Sequence, residues 1–155
     1  MNDVILILSD TEKGWLAGII DGEGCLRLVK QRCVFKSSFL KNRRFRWRPL
    51  LVITNTNLSL IKCACDLFKG GCVYSRFPKS KSGKIYKSYE IAVGINKLRQ
   101  ILPQIIPILT AKKKEACLLL KAIEPITDYK KRHILHDKSL DKISLQSTLL
   151  KNRGV

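Results

Sequence analysis

The sequence predicts an α+β domain, with helices laid over one face of an antiparallel sheet in the order αββαββα and further helices after that core. Three observations carry this. Segments with apolar residues at helical spacing alternate with pairs of strand-like segments rich in β-branched and aliphatic residues. Within each pair the connection is short, which suits antiparallel neighbours. The 155 residues are 45% apolar, enough for one buried core, and no long linker or low-complexity tract divides them. One domain over 1–155 is expected, with its core over about 11–124 and a helical extension over about 125–155.

Thr11 to Gly22 reads as the first helix, with Thr11 as N-cap, Glu12 in the first turn, and Gly22 and Gly24 as the stop. Cys25 to Val34 is strand-like, and Lys36 to Arg43 is a polar turn region. Arg44 to Thr54 is a second strand, in which Pro49 predicts an edge or a bulge. Asn57 to Phe68 is a helix, with Leu58, Ile61, Ala64, Cys65 and Phe68 on one side, Asn57 as cap and Gly70-Gly71 as stop. Cys72 to Phe77 is a third strand, Pro78 to Gly83 a turn, and Lys84 to Val93 a fourth strand with Ile85, Tyr89, Ile91 and Val93 on one parity. Leu98 to Ile106 is helical, with Pro103 as a point at which it can split. Pro107 to Ile123 holds another helix, lined by Ala116, Leu119, Leu120 and Ile123. A polar break over Glu124 to Lys131 precedes a last amphipathic helix over Ser139 to Leu150. Helices would cover one sheet face and leave the other to solvent or a ligand.

Charge points to the ligand. The net charge is +18, from 30 basic and 12 acidic residues. Such self-repulsion implies a polyanionic partner, nucleic acid first and an anionic membrane surface second. Between Gly24 and Tyr89 sixteen lysines and arginines face one acid, Asp66. Arg44, Arg46 and Arg48 alternate along one strand, as do Lys30 and Arg32 on the strand before it. Lys79, Lys81 and Lys84 lie in and beside the second hairpin turn. A solvated surface normally mixes both signs, so this one is read as a nucleic-acid face, and a two-stranded ribbon fits the major groove of duplex DNA. Lys36, Arg43, Arg76 and Lys87 complete the candidate contacts.

No apolar run approaches the roughly 20 residues that span a bilayer. The N-terminus lacks the basic region and cleavage site of a signal peptide, so an intracellular protein is expected. The six cysteines form no CxxC pair, and the only histidines, His133 and His136, lie far from them. Zinc spacing is therefore poor, and most of the cysteines sit in apolar stretches and read as small hydrophobes.

The first helix ends Leu16-Ala17-Gly18-Ile19-Ile20-Asp21-Gly22-Glu23-Gly24. Gly14, Gly18 and Gly22 stand four apart, in one line along it. Glycine weakens a helix, so a close helix–helix approach along that line would be the compensating gain. Asp21 and Glu23 lie at the C-terminal end, where the helix dipole disfavours negative charge and a divalent cation would relieve it. Two such helices side by side would bring two Glu23 carboxylates together, a donor set suited to Mg²⁺.

This nine-residue string closely resembles the LAGLIDADG motif of the homing endonuclease family, departing by Ile19 for leucine, Gly22 for alanine and Glu23 for aspartate. The resemblance extends over most of the chain through the αββαββα order. It implies a saddle-shaped antiparallel sheet lying in the major groove of double-stranded DNA. With one motif per chain, it implies a homodimer joined through this helix, at Gly14, Trp15, Ala17, Gly18, Asp21 and Gly22. The target would then be long and roughly palindromic.

The resemblance also implies site residues. Glu23 matches the metal-binding acid, the Gly22 carbonyl a secondary ligand, and Asp21 a structural inner acid. Mg²⁺ is the implied metal, with Mn²⁺ suiting the same oxygens. Asn55, in Val52-Ile53-Thr54-Asn55, matches a polar residue of the catalytic water network, and it equally suits a cap for the next helix. Lys112, opening Lys112-Lys113-Lys114, matches a lysine near the scissile phosphate. Some proteins of the family bind intron RNA as maturases, and others only bind. A basic ribosomal or chromatin protein would leave the glycine line and the terminal acids unexplained.

Overall fold

The computed structural model describes residues 5–33, 44–124 and 141–146. Its elements run α1 (Asp10–Glu23), β1 (Gly24–Cys33), β2 (Arg44–Asn55), α2 (Leu58–Leu67), β3 (Val73–Arg76), β4 (Ser88–Val93), α3 (Ile95–Ile105) and α4 (Lys113–Ile123). All strand pairs are antiparallel, in the order β1-β2-β4-β3. The mixed α+β architecture and the αββαββα order are those the sequence predicts. Residues 141–146 are helical, and the remainder of the expected last helix lies outside the described residues, as do the break over 125–131 and Lys36 and Arg43 in the β1–β2 connection.

Strand register sorts the sheet into two faces. Leu26 stands opposite Leu51, Lys30 opposite Trp47, and Ile53 opposite both Gly24 and Ile91. Leu26, Leu51, Ile53, Ile91 and Val93 of this face are buried against Leu16 and Ile20 of α1, Ile61 of α2, the Leu98-Ile101-Leu102-Ile105 stripe of α3 and Ala116, Leu119 and Ile123 of α4. The period of two in the strands thus meets the period of 3.6 in the helices across one apolar layer. The other face carries Arg27, Val29, Arg48, Thr54, Tyr74, Arg76, Glu90 and Ala92 beside the buried Leu50, Val52 and Ser88, and no described helix covers it.

Several boundaries differ from expectation for identifiable reasons. The first helix is capped by Ser9, not Thr11. The Ser9 hydroxyl accepts from the Glu12 N–H at 3.3 Å and the Glu12 carboxylate accepts from the Ser9 N–H at 2.7 Å, a reciprocal capping box. The core begins earlier than residue 11. Leu6 and Leu8 are buried, and this extended segment is tied to α3 by Leu6 N–H to Gln100 (2.7 Å), Leu8 N–H to Gln104 (3.1 Å) and the Gln104 amide to the Leu6 carbonyl (2.7 Å). Pro49 lies on the stretch of β2 that extends beyond β4, so it has a strand neighbour on one side only. Pro103 does not split α3, since it is exposed and third from the end of the helix. β4 starts at Ser88 rather than Lys84, and Ile85, though on the parity of Ile91 and Val93, is exposed. Cys63 and Cys72 are exposed, while Cys25, Cys65 and Cys117 are partly buried.

Candidate functional site

The end of α1 is the centre of the site. Helix and first strand are continuous: α1 ends at Glu23 and β1 begins at Gly24. The turn is so tight that a Cβ at Gly24 would stand 2.7 Å from the Ile20 carbonyl oxygen and 2.9 Å from its Cα. Those are backbone atoms and cannot swing aside, so glycine is required here by close approach and not by an unusual backbone angle. Glu23, one residue earlier, is exposed at the junction.

Asp21 and Lys112 form a reciprocal latch between α1 and the segment entering α4. One Asp21 carboxylate oxygen accepts from the Thr110 N–H at 2.8 Å and the other from the Lys112 N–H at 2.9 Å. In return the Lys112 ammonium donates to the carbonyls of Ile20 and Asp21, both at 2.8 Å. Burial alone would raise the Asp21 pKa. The backbone N–H groups of Thr110, Lys112 and Ala111, with the Lys112 charge, outweigh it and hold the carboxyl below its ordinary range. The latch places a cation on the last carbonyls of a helix that has no basic residue in its own last turn. The expectation of Asp21 as structural fits this geometry. Lys112, which the resemblance places near a phosphate, is brought to the motif helix by these bonds.

Asn55 is the last residue of β2. Since Gly24 pairs with Ile53, Asn55 comes to the same end of the sheet as Glu23. Its side-chain oxygen accepts from the Asn57 N–H at 2.8 Å, whereas the cap of α2 is Asn57, whose side chain accepts from Ser59 and Leu60. Asn55 therefore shapes the turn before the cap and is not the cap.

The glycine line behaves differently from Gly24. Gly14, Gly18 and Gly22 are exposed, and a Cβ at any of them would meet nothing within 4 Å among the described residues. The other interface candidates do not share that side. Ala17 is buried in the chain's own core with Leu16 and Ile20, Trp15 is partly buried against that core, and Asp21 is held by the latch. This follows from helical spacing, since Ala17 and Asp21 stand four apart on the core-facing side.

The basic face is reorganised by register. Arg48 is exposed opposite Val29 on the open face, and Arg44 and Arg46 hold register positions opposite Cys33 and Gln31. Lys30 stands opposite Trp47 on the helix-covered face, its ammonium 3.2 Å from Asp141 and 5.1 Å from the Trp47 ring centroid. Arg32, opposite Phe45, shares its strand parity. A one-residue shift in register exchanges the faces, and the alternation of lysine and arginine alone does not reveal which set faces out. The corrected face gains Arg27, exposed and opposite Leu50, which the sequence reading passed over. Its signal was available in the alternation of Arg27 with the buried Leu26 and Leu28. Arg76 is on the open face but bonds Glu90 at 2.7 Å, an acid on the neighbouring strand. Lys79, Lys81, Lys84 and Lys87 are all exposed on the β3–β4 hairpin.

Among the described residues no group of three or more His, Cys, Asp or Glu side chains gathers to hold a metal ion. Glu23 is the exposed acid at the centre of the site, because both Asp21 oxygens already accept backbone hydrogen bonds. No described helix is long and apolar enough to cross a membrane.

No family model and no curated protein sequence matches the chain. Solved structures do. The homing endonuclease I-CvuI, in complex with the I-CreI target in 2 mM Mg, is 21% identical with a TM-score of 0.63 over 90% of this chain and 82% of that one. The archaeal intron-encoded homing endonuclease I-Vdi141I, complexed with DNA, is 18% identical with a TM-score of 0.69 over 94% and 87%. The LAGLIDADG homing endonuclease I-SmaMI, bound to cleaved DNA, is 15% identical with a TM-score of 0.59, over 96% of this chain but 46% of its own. The fold is that of the LAGLIDADG homing endonucleases, in agreement with the motif at Leu16 to Gly24.

Proposed function

We propose that the protein is a site-specific DNA endonuclease that makes double-strand cuts in a long, roughly palindromic duplex by metal-dependent hydrolysis, and that it works as a homodimer. The observation that carries this reading is the paired design of α1. Its outer line is glycine with open space above it among the described residues, and its end presents the exposed Glu23 while Lys112 bonds the Ile20 and Asp21 carbonyls of the same last turn. Among the described residues nothing requires glycine at 14, 18 and 22, and each costs the helix about 1 kcal/mol relative to alanine. A second copy laid along that line supplies the reason for them. The pairing also brings two Glu23 carboxylates to one place, with an open sheet face on each side. The match to about half of the longer I-SmaMI chain supports a two-copy assembly.

The donor set suits Mg²⁺, with Mn²⁺ as substitute: hard oxygens, few per chain, at a helix end that favours positive charge. Glu23 and the Gly22 carbonyl would hold it, together with phosphate oxygens of the DNA. When bound, the ion supplies water activation and charge stabilisation at the departing oxygen. The chain's own residues do the rest. Arg27, Arg48, Arg76 and the hairpin lysines bind the duplex through phosphates and groove edges. Arg44 and Arg46 belong to this set by sequence position, and Lys36 and Arg43 by their place in the β1–β2 connection. Asn55 orients water at the sheet end, and Lys112 sets positive charge beside the reacting phosphate, with Asp21 fixing the segment that carries it.

The test is incubation of the purified protein with a library of palindrome-like duplexes in Mg²⁺ or EDTA. Discrete double-strand cuts that require Mg²⁺ support the nuclease. Tight binding with no cut across the library transfers the reading to a binding-only or intron-RNA-binding protein of the same fold.

A further inference from the structure

The four strands hold a single acid, Glu90, and every other charged residue in them is a lysine or arginine. β4 lies between β2 and β3, so Glu90 stands in the interior of the sheet, opposite Thr54 on one side and Tyr74 on the other. Thr54 follows Ile53, the partner of Gly24, so this row is level with Glu23 at the end of α1. The Glu90 side chain is 12% exposed and that of Arg76 59%. The carboxylate therefore lies low on the open face, and the guanidinium bonded to it, Nη2 to Oε1 at 2.7 Å, stands clear of it. Among the described residues Arg76 is the one arginine of this face bonded to an acid.

Such a pair behaves differently from a lone arginine. A lone cation is drawn to any phosphate, and it adds to non-specific affinity and to salt dependence. With Glu90 bonded to it, Arg76 brings little net charge, and a phosphate approaching it meets the like charge of the carboxylate. The edge of a base is neutral and meets no such repulsion. Guanine offers two acceptors, O6 and N7, to a guanidinium held in one orientation. The guanidinium has five N–H donors, so the bond to Glu90 leaves enough for both. One carboxylate thus fixes the fork and removes its attraction for the backbone.

We propose that Glu90 is a positioning residue for sequence selectivity, which turns Arg76 away from phosphate and aims it at a guanine edge in the part of the duplex nearest Glu23. This role rests on the duplex-binding reading of the open face and divides the labour within it. Arg27 and Arg48 supply affinity, and Arg76 with Glu90 supplies discrimination. It does not depend on the protein cutting the DNA.

The test compares wild type, Glu90→Ala and Arg76→Lys, with circular dichroism melts to check that each folds. In Ca²⁺, each protein is bound to a randomised duplex pool whose retained members are sequenced, and to one fixed, unselected duplex over a range of salt. Wild type should show a preference for G·C of about fivefold or more at one position per half-site, and Glu90→Ala should lose it. Glu90→Ala should also bind the fixed duplex about threefold tighter, with a salt slope steeper by about one. Arg76→Lys keeps the charge but not the fork, so it should lose the same preference while its affinity for the fixed duplex stays within about twofold. A preference that both variants keep overturns the proposal alone. So does an equal loss on every sequence with the salt slope unchanged, which marks a merely structural role. A wild type that enriches no sequence from the pool overturns the duplex-binding reading as well.

Discussion

At the scale of single residues, the site depends on neighbours that local sequence does not display. Gly24→Ala forces a Cβ onto the Ile20 backbone, so it should destabilise the fold by roughly 1–3 kcal/mol in urea unfolding. Asp21 makes a different prediction. Its depressed pKa contributes stability that is present above the unfolded-chain carboxylate value and lost as pH falls through the folded one. Stability of the wild type should therefore fall with acidification below about pH 4, and Asp21→Asn should be less stable at neutral pH with a flatter acid limb in pH-dependent melts. Glu23 was legible as the outlying acid of the motif, because charge, position and spacing coincide in one short string. The partnership of Asp21 with residues 110–112 was not legible, since about ninety positions separate partners joined by backbone N–H groups that every residue but proline has.

At the scale of elements, α1 carries two kinds of glycine with opposite expected behaviour. Gly18→Ala meets open space, so it should stabilise the isolated chain by up to about 1 kcal/mol while weakening self-association in analytical ultracentrifugation. Equal gains in both would argue against helix-to-helix pairing along that line. The strands make a second comparison. Arg27→Gln and Arg48→Gln should each weaken duplex binding by about 1–3 kcal/mol or reduce its salt slope by about one, and Lys30→Gln should do neither. Element type and order were readable because each helix and strand has its own period. Which strand parity faces outward was not, because the β1–β2 register is fixed by pairings such as Leu26 with Leu51 that couple distant segments. The N-terminal segment was missed for the same reason. Leu6 and Leu8 alternate with the exposed Ile5 and Ile7 in a uniformly apolar run, and only the glutamines of α3 pick one set.

At the scale of the whole molecule, a net charge of +18 is distributed with purpose. The helix-covered face assembles the core, the open face collects arginines, and the motif helix leaves its glycine line exposed as the proposed seam between two copies. In the proposed dimer that seam would place the two Glu23 carboxylates where two open faces meet, which is what a double-strand cut in a palindromic duplex requires. The most direct measurement compares wild type with Glu23→Gln on one duplex selected from the library, following binding in Ca²⁺ and cleavage in Mg²⁺. The account predicts that the variant binds with nearly wild-type affinity and fails to cut either strand. Cutting by Glu23→Gln at the wild-type rate would contradict it and remove Glu23 from the centre of the site.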